Sequence, residues 1–479
     1  MKVLMLAAEA APLVKVGGLG DVVGGLSAEL RALGHDVRIA LPHYGFISAA
    51  GESQSVLSVR WGRAKVKSSC VETAIGGTPC LLIGGRPIAP GESVYAQTAA
   101  IDIRRFVFFA LAALHHVQAL GFQPDVVHVH DAHPGAAVHW LQQAASTEPF
   151  WRRTARVLTI HNMVYQYNEA AEALALGGLK PASDNRVPTW ARAGLLALAI
   201  RAADRINAVS PTYAKEIVAQ EHGAGLHALL LARAGRLSGI LNGIDYQCWD
   251  AATDSALARN FTAETLPARE ANKRALQQET VLPVGPAPLL GMVSRLDHQK
   301  GLDLLARALP AVLREGKAAL VVLGSGDGNI QAALQQLAAD FPERVLLNFR
   351  FDEGFARRIY GGADMMLVPS RYEPCGLVQM IALRYGAVPL VRATGGLRDT
   401  VTDCDVDPAS GTGFVFDAFT PRALRAALRR ALTRFEDRSF WRGMQRRGMA
   451  LDFSWAAAGR RYQALYRKAI EDRSARGTD

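Results

Sequence analysis

Two short blocks hold the residue types best able to do chemistry. Lys15-Val16-Gly17-Gly18-Leu19-Gly20-Asp21 lies near the N-terminus, and Arg295-Leu296-Asp297-His298-Gln299-Lys300 lies beyond the midpoint. Each follows an apolar, strand-like run and precedes an amphipathic helical pattern, the junction at which an open α/β sheet receives a ligand. Lysine is scarce, ten against forty-four arginines, so two lysines at two such junctions single these positions out. Together they suggest one anionic, phosphate-bearing substrate held between two α/β domains.

Gly17, Gly18 and Gly20 remove three side chains within four positions, which lets backbone amides at a helix start approach an anion or a sugar hydroxyl. Lys15 adds a mobile positive charge, and Asp21 can accept from hydroxyls. The G-x-G-x-x-G dinucleotide spacing fails, because Val23 stands at the third glycine position. Arg295 and Lys300 pair a guanidinium fork with a point charge, a combination suited to a pyrophosphate. Such cations accelerate a reaction most when charge develops on a departing phosphate.

Three more junctions in the second half repeat this chemistry. Gly324-Ser325-Gly326-Asp327-Gly328 is a glycine-rich turn after a strand. In Glu373-Pro374-Cys375-Gly376-Leu377, Pro374 marks a helix start. Glu373, preceding proline, is steered out of helical geometry, which places its carboxylate at a loop tip facing sugar hydroxyls. Thr394-Gly395-Gly396-Leu397 is expected to offer exposed amides. Any one of these could be a plain turn; four in one half point to a site.

In the first half, His130-Asp131 and Thr159-Ile160-His161-Asn162 each end a strand. His161 can donate to a sugar hydroxyl or a backbone carbonyl, and Asn162 can fix loop geometry. His133 could cap the helix that follows it. A metal site would draw on His128, His130, Asp131, His133 and His161, but no cysteine partner or H-E-x-x-H pattern supports one, and no metal is assigned. A Ser-His-Asp triad likewise lacks its G-x-S-x-G turn.

The elements that position these residues alternate strand and helix. The first half reads as strands over 3–8, 36–41, 126–129, 156–160 and 205–209, with helices over 19–33, 101–120, 133–144, 190–203 and 212–221. Residues 56–85 look like hairpins added to the sheet. Loop or short helices suit 165–188. In the second half strands are expected at 289–293, 319–323, 345–349, 365–368 and 388–391. The chain then becomes helical from Pro421 to about Ile470, with a frayed tail from Arg473. At 479 residues two domains are the default. The expected division is 1–245, 246–453 and a terminal helix over 454–472.

Composition narrows the class. With 49% apolar and 20% charged residues the chain is globular. Its net charge of +10 raises nucleic acid as a partner. The nine arginines between Arg422 and Arg447, however, sit on helical patterns without aromatic interleaving, so nucleic acid is set aside. The apolar run from Phe106 to Leu114 is too short for a membrane span. Five unpatterned cysteines fit a reducing compartment, and a cytoplasmic protein is expected. Oligomeric state has no signature here.

These blocks, with Ser210-Pro211-Thr212-Tyr213 and Leu241-Asn242-Gly243-Ile244-Asp245, resemble the bacterial glycogen synthase family and the plant starch synthases. The resemblance runs nearly end to end. It implies a GT-B type α/β fold: two Rossmann-like domains facing a deep interdomain cleft, with a C-terminal helix crossing back to the N-terminal domain. It also implies glucose transfer from ADP-glucose, a substrate and not a cofactor, to the nonreducing 4-hydroxyl of an α-1,4-glucan with retention of configuration. Lys15 and Gly18 would lie near the nucleotide-sugar phosphates, with Gly17 and Asp21 also binding substrate. Arg295 and Lys300 would hold the pyrophosphate. Glu373 and the amides of Cys375, Gly376 and Leu377 would hold glucose, helped by His161 and Asp131, and Asn162, Asn242, Thr394 and Gly395 would also bind substrate. Phe351 stands where the family packs an aromatic ring on adenine. Ile381 replaces a second glutamate of the wider superfamily, and Val378 replaces a hydroxyl-bearing residue.

Overall fold

The structure, a computed structural model, describes residues 1–48, 53–88, 93–144, 146–350 and 352–476. The chain forms two compact units, Met1–Gly243 with Trp455–Asp479, and Ile244–Ser454.

The first unit runs β1 (Lys2–Leu6), α1 (Gly18–Ala32), β2 (Asp36–Pro42), β3 (Ser53–Trp61), β4 (Ala64–Ile75), β5 (Thr78–Ile83), α2 (Ala99–Ala119), β6 (Val126–His130), α3 (Gly135–Ala144), β7 (Ala155–Ile160), α4 (Ala171–Leu176), α5 (Leu195–Ala202), β8 (Arg205–Ala208), α6 (Pro211–Glu216), α7 (His227–Leu231) and β9 (Leu237–Gly239). Its sheet has the order β3-β4-β5-β2-β1-β6-β7-β8-β9. Pairing is parallel except at β3–β4 and β4–β5, so the 56–85 region is a pair of hairpins that returns β5 parallel to β2. Strands β6 and β7 are buried along their whole length, so the polar residues within them, His128, His130, Arg156 and Thr159, must find partners inside the fold. Winding reverses at β1, with β2 on one side and β6 on the other, so the loops after β1 and β6 emerge side by side.

The second unit runs α8 (Arg269–Glu279), β10 (Leu289–Val293), α9 (Leu302–Ala308), α10 (Pro310–Arg314), β11 (Ala319–Leu323), α11 (Gly328–Asp340), β12 (Val345–Asn348), α12 (Glu353–Gly362), β13 (Met365–Val368), α13 (Val378–Arg384), β14 (Val388–Arg392), α14 (Gly395–Thr400), β15 (Phe414–Phe416), α15 (Pro421–Glu436) and α16 (Arg438–Met449). Its all-parallel sheet has the order β12-β11-β10-β13-β14-β15, reversing between β10 and β13. The Arg295–Lys300 and Glu373 loops leave those two strands. Both units are thus Rossmann-like.

Helix α17 (Trp455–Arg476) belongs to the first unit. Trp455, Ala458, Tyr462, Leu465, Tyr466 and Ala469 bury against Val22, Leu26 and Leu30 of α1 and the sheet beneath. Residues 473–476 are helical and not frayed, because Asp472 pairs with Arg205 (2.6 Å) and Arg236 (3.0 Å), and Arg473 Nε donates to the Arg152 carbonyl (3.0 Å); residues 477–479 of the expected tail lie outside the described residues.

Other expectations are corrected. The 190–203 helix is a 3-10 turn at Thr189–Ala191 followed by α5, because Gly194 takes an extended backbone (ψ 127°) that interrupts the helix before Leu195. The 212–221 helix stops at Glu216, and α3 starts at Gly135 with neither ring nitrogen of His133 partnered among the described residues, so His133 does not cap it. Strands β9 and β15, three residues each, are too short to show a period. Among the described residues, no helix is long and apolar enough to cross a membrane.

Leu26 is fully buried between α1 and α17. Leu26→Ala should therefore cost about 2–5 kcal/mol of stability. Urea unfolding checks this, and an unchanged midpoint would contradict the α1–α17 packing.

Candidate active site

At the switch point of the second unit, Lys300 Nζ donates to both oxygens of Glu373, at 3.0 and 2.7 Å. Ser370 Oγ donates to the same carboxylate at 2.9 Å. Glu373 is only 5% exposed, so its carboxylate is a buried, fully engaged group and not a loop tip. Asp297 starts the turn that delivers Lys300 by accepting its backbone N–H. Gly301 follows in the left-handed region (φ 71°), where a Cβ would overlap the Pro369 carbonyl. Arg295 is exposed and pairs with Asp297 at 3.2 Å.

The helix after Glu373 starts at Val378, not at Pro374. Gly376 takes φ 75°, and Gln379 Nε2 clamps the carbonyls of Cys375 (3.0 Å) and Gly376 (2.9 Å) and reaches Thr400 Oγ1 (3.1 Å). The loop is held open by this side chain, and the Gly376 and Leu377 amides meet no acceptor among the described residues. Ser294, Lys300, Ser370, Glu373, Gly376 and Leu377 line one pocket.

Thr394-Gly395-Gly396-Leu397 does not offer exposed amides. Thr394 N donates to the Arg392 carbonyl (2.9 Å), Gly396 N to that of Glu373 (3.0 Å) and Leu397 N to that of Thr394 (3.1 Å). Gly395 has φ 46°, and a Cβ there would overlap the Glu373 carbonyl. This loop is a buttress for the glutamate loop. Cys375 is buried beneath it.

In the first unit, the glycine loop is held by Glu9, which sequence reasoning missed. Glu9 Oε2 accepts from the amides of Val16 (2.6 Å) and Gly17 (2.9 Å), and Tyr95 donates its hydroxyl to Oε1. The available signal was a lone acid in an apolar run, since a buried carboxylate requires partners. Among the described residues helix α1 has no side-chain cap and the Gly18 amide that begins it meets no acceptor. Lys15 pairs with Asp21 at 2.8 Å at the exposed rim.

Asp131, beside this loop, occupies the left-handed region (φ 61°) and accepts from the amides of His161 (2.6 Å) and Asn162 (3.2 Å). Burial pushes its carboxyl up to about 7. His161 Nε2 lies 3.0 Å from His130 Nδ1. His128, beneath, is bound through Nδ1 to Tyr466 of α17 (2.8 Å) and through Nε2 to Thr159 (2.7 Å). Burial holds His128 and His133 near 3 and lowers His130 and His161 well below the ordinary imidazole range. These side chains do not gather as a metal site: among the described residues, the only such grouping is Asp403, Cys404 and Asp405. Asn162 Oδ1 accepts from Val164 N (3.1 Å), bracing its loop, and Asn242 is buried with no partner for its Oδ1 among the described residues. Phe351 lies outside the described residues.

Two Rossmann-like units whose switch-point loops present lysines, open amides and buried carboxylates define a GT-B glycosyltransferase. Residues 2–232 match the starch synthase catalytic domain, and residues 274–443 match glycosyl transferases group 1. The chain is 41% identical over 483 residues to glycogen synthase 2 of Geobacter metallireducens, covering 99% of this chain and 100% of that one. It is 42% identical over 478 residues to the glycogen synthase of Anaeromyxobacter dehalogenans, covering 98% and 99%. The catalytic domain of starch synthase IV from Arabidopsis thaliana, solved bound to ADP and acarbose, matches with a TM-score of 0.88 at 33% identity, covering 98% and 99%. The chain belongs to the glycogen synthase family.

The buried imidazoles set a pH dependence. Unfolded histidines protonate as pH falls through about 6.5, whereas these four stay neutral in the fold, so stability is lost as pH drops from about 6.5 towards 3. Asp131 opposes this, because its folded-state proton stabilises the fold most at low pH and that contribution fades between about 4 and 7. Four groups outweigh one. The urea midpoint should fall on acidification from pH 6.5 to 4; a rise would contradict the burial of these rings. Separately, Gly395→Ala should displace Glu373 and reduce kcat by about 100-fold or more. Retained activity in a folded variant would contradict the buttress.

Proposed function

We propose that the chain transfers glucose from ADP-glucose to the nonreducing 4-hydroxyl of an α-1,4-glucan, with retention of configuration and release of ADP. The observation that carries this is the Lys300–Glu373 pair at the switch point of the second unit, with the open Gly376 and Leu377 amides in the same pocket. Support for the donor comes from the glycogen synthase relatives and from the ADP-bound starch synthase.

On this reading the second unit binds the nucleotide sugar. The diphosphate becomes the new partner of Lys300, and Arg295 leaves Asp297 to join it. Glu373, relieved of the ammonium, accepts from glucose hydroxyls while Ser370 keeps it oriented. The first unit serves the acceptor side, with Lys15 and the α1 amides near the phosphates and His161 and Asp131 near the glucose. A conventional retaining site needs a second carboxylate close to the anomeric carbon. The favoured route is instead same-face, with the departing ADP oxygen taking the proton of the incoming hydroxyl. The two cations stabilise that oxygen as the glycosidic bond breaks.

Purified protein with glycogen and labelled ADP-glucose or UDP-glucose, assayed in parallel, tests this. Glucose incorporation with ADP release is expected; no incorporation, or a preference for UDP-glucose, contradicts it. Lys300→Ala should lower kcat by about 100- to 1,000-fold while the glucan KM changes by less than about threefold. A near-normal rate at saturating donor would contradict the leaving-group role.

A further inference from the structure

His130 has a role that its position alone does not announce. It shares one hydrogen bond with His161, Nδ1 to Nε2 at 3.0 Å, and both rings are neutral in the fold. One proton lies between them, and either ring could supply it. The rest of His130 decides which. Its Nε2 is buried and meets no partner among the described residues. The nearest ring, His128, lies 4.1 Å away between centroids, tilted 39°, with both its nitrogens already engaged by Tyr466 and Thr159.

Were His161 the donor, His130 would carry its own proton on Nε2 as a buried N–H with nothing to receive it. Were His130 the donor from Nδ1, its Nε2 would be an unprotonated nitrogen that no donor among the described residues reaches. An orphaned buried N–H is the rarer and costlier state. His161 then accepts at Nε2 and carries its proton on Nδ1, the nitrogen that has no partner among the described residues and is not enclosed. Its backbone is fixed by Asp131, so ring and proton are both set in advance.

We propose that His130 is a positioning residue that locks His161 in the Nδ1–H tautomer, so that the transferring sugar meets a fixed hydrogen-bond donor. The inference rests on the reading of His161 as a glucose contact. An imidazole free in water prefers the opposite tautomer, with the proton on Nε2, so removal of His130 has a definite signature.

The test is a two-bond proton–nitrogen correlation on the full chain labelled with ¹⁵N-histidine, His161 being assigned by its loss in His161→Asn. Protonated-type Nδ1 and bare-type Nε2 are expected at His161. In His130→Leu the pattern should move towards Nε2–H, and kcat should fall by about 10- to 100-fold with the ADP-glucose KM within about threefold. His130→Asn, whose amide can donate from the Nδ1 position, should restore most of both. A protonated Nε2 at His161 in the unaltered chain overturns the proposal, as does a His130→Leu variant with tautomer and kcat unchanged. The tautomer is read without turnover, so a chain inactive on ADP-glucose would refute the proposed function and leave the tautomer result standing.

Discussion

An ammonium held against a buried carboxylate, Lys300 on Glu373, is the constraint around which the second unit is arranged. Such a pair is tolerable only with complete partners, because removal of either charge strands the other in low dielectric. The surrounding chain supplies them. Ser370 binds the same carboxylate, Gly301 lets the lysine turn approach the Pro369 backbone, and Gly395-Gly396 presses on the carbonyls of Glu373 and Cys375. On the proposed function the pair also acts as a switch. A dianionic ligand can replace the carboxylate as the lysine's partner, and a hydroxylated one can replace the ammonium as the carboxylate's. An activated sugar brings both.

The first unit uses the same device with backbone in place of lysine. Glu9 gathers the amides of Val16 and Gly17, and Asp131 gathers those of His161 and Asn162. Each carboxylate shapes a loop at the end of a buried parallel strand. Beneath them, α17 contributes Tyr466 to His128 and Tyr462 to Asn207, so the terminal helix is part of the support for the histidine cluster as well as of the core.

Much of this was legible in the sequence for a physical reason. Parallel strands buried on both faces are continuous apolar runs, and glycine must appear where backbone approaches backbone, so 3–8, 289–293 and 365–368 announced themselves with their loops. What was hidden depended on partners distant in the chain. Glu9 stands inside an apolar run, and its acceptor role exists only once the chain folds back at Val16. Pro374 suggested a helix start, but the Gln379 clamp delays the helix to Val378. The 394–397 amides looked available because nothing local shows that the Glu373 carbonyl consumes one of them.

On the proposed function, Lys300 exchanges a carboxylate for a diphosphate when the donor binds. A crystal structure of the full chain with ADP bound addresses it most directly. The account predicts Lys300 Nζ within about 2.7–3.2 Å of a β-phosphate oxygen, with Arg295 drawn from Asp297 onto the same group. Lys300 still seated on Glu373, with both cations turned away from a well-ordered diphosphate, would contradict it.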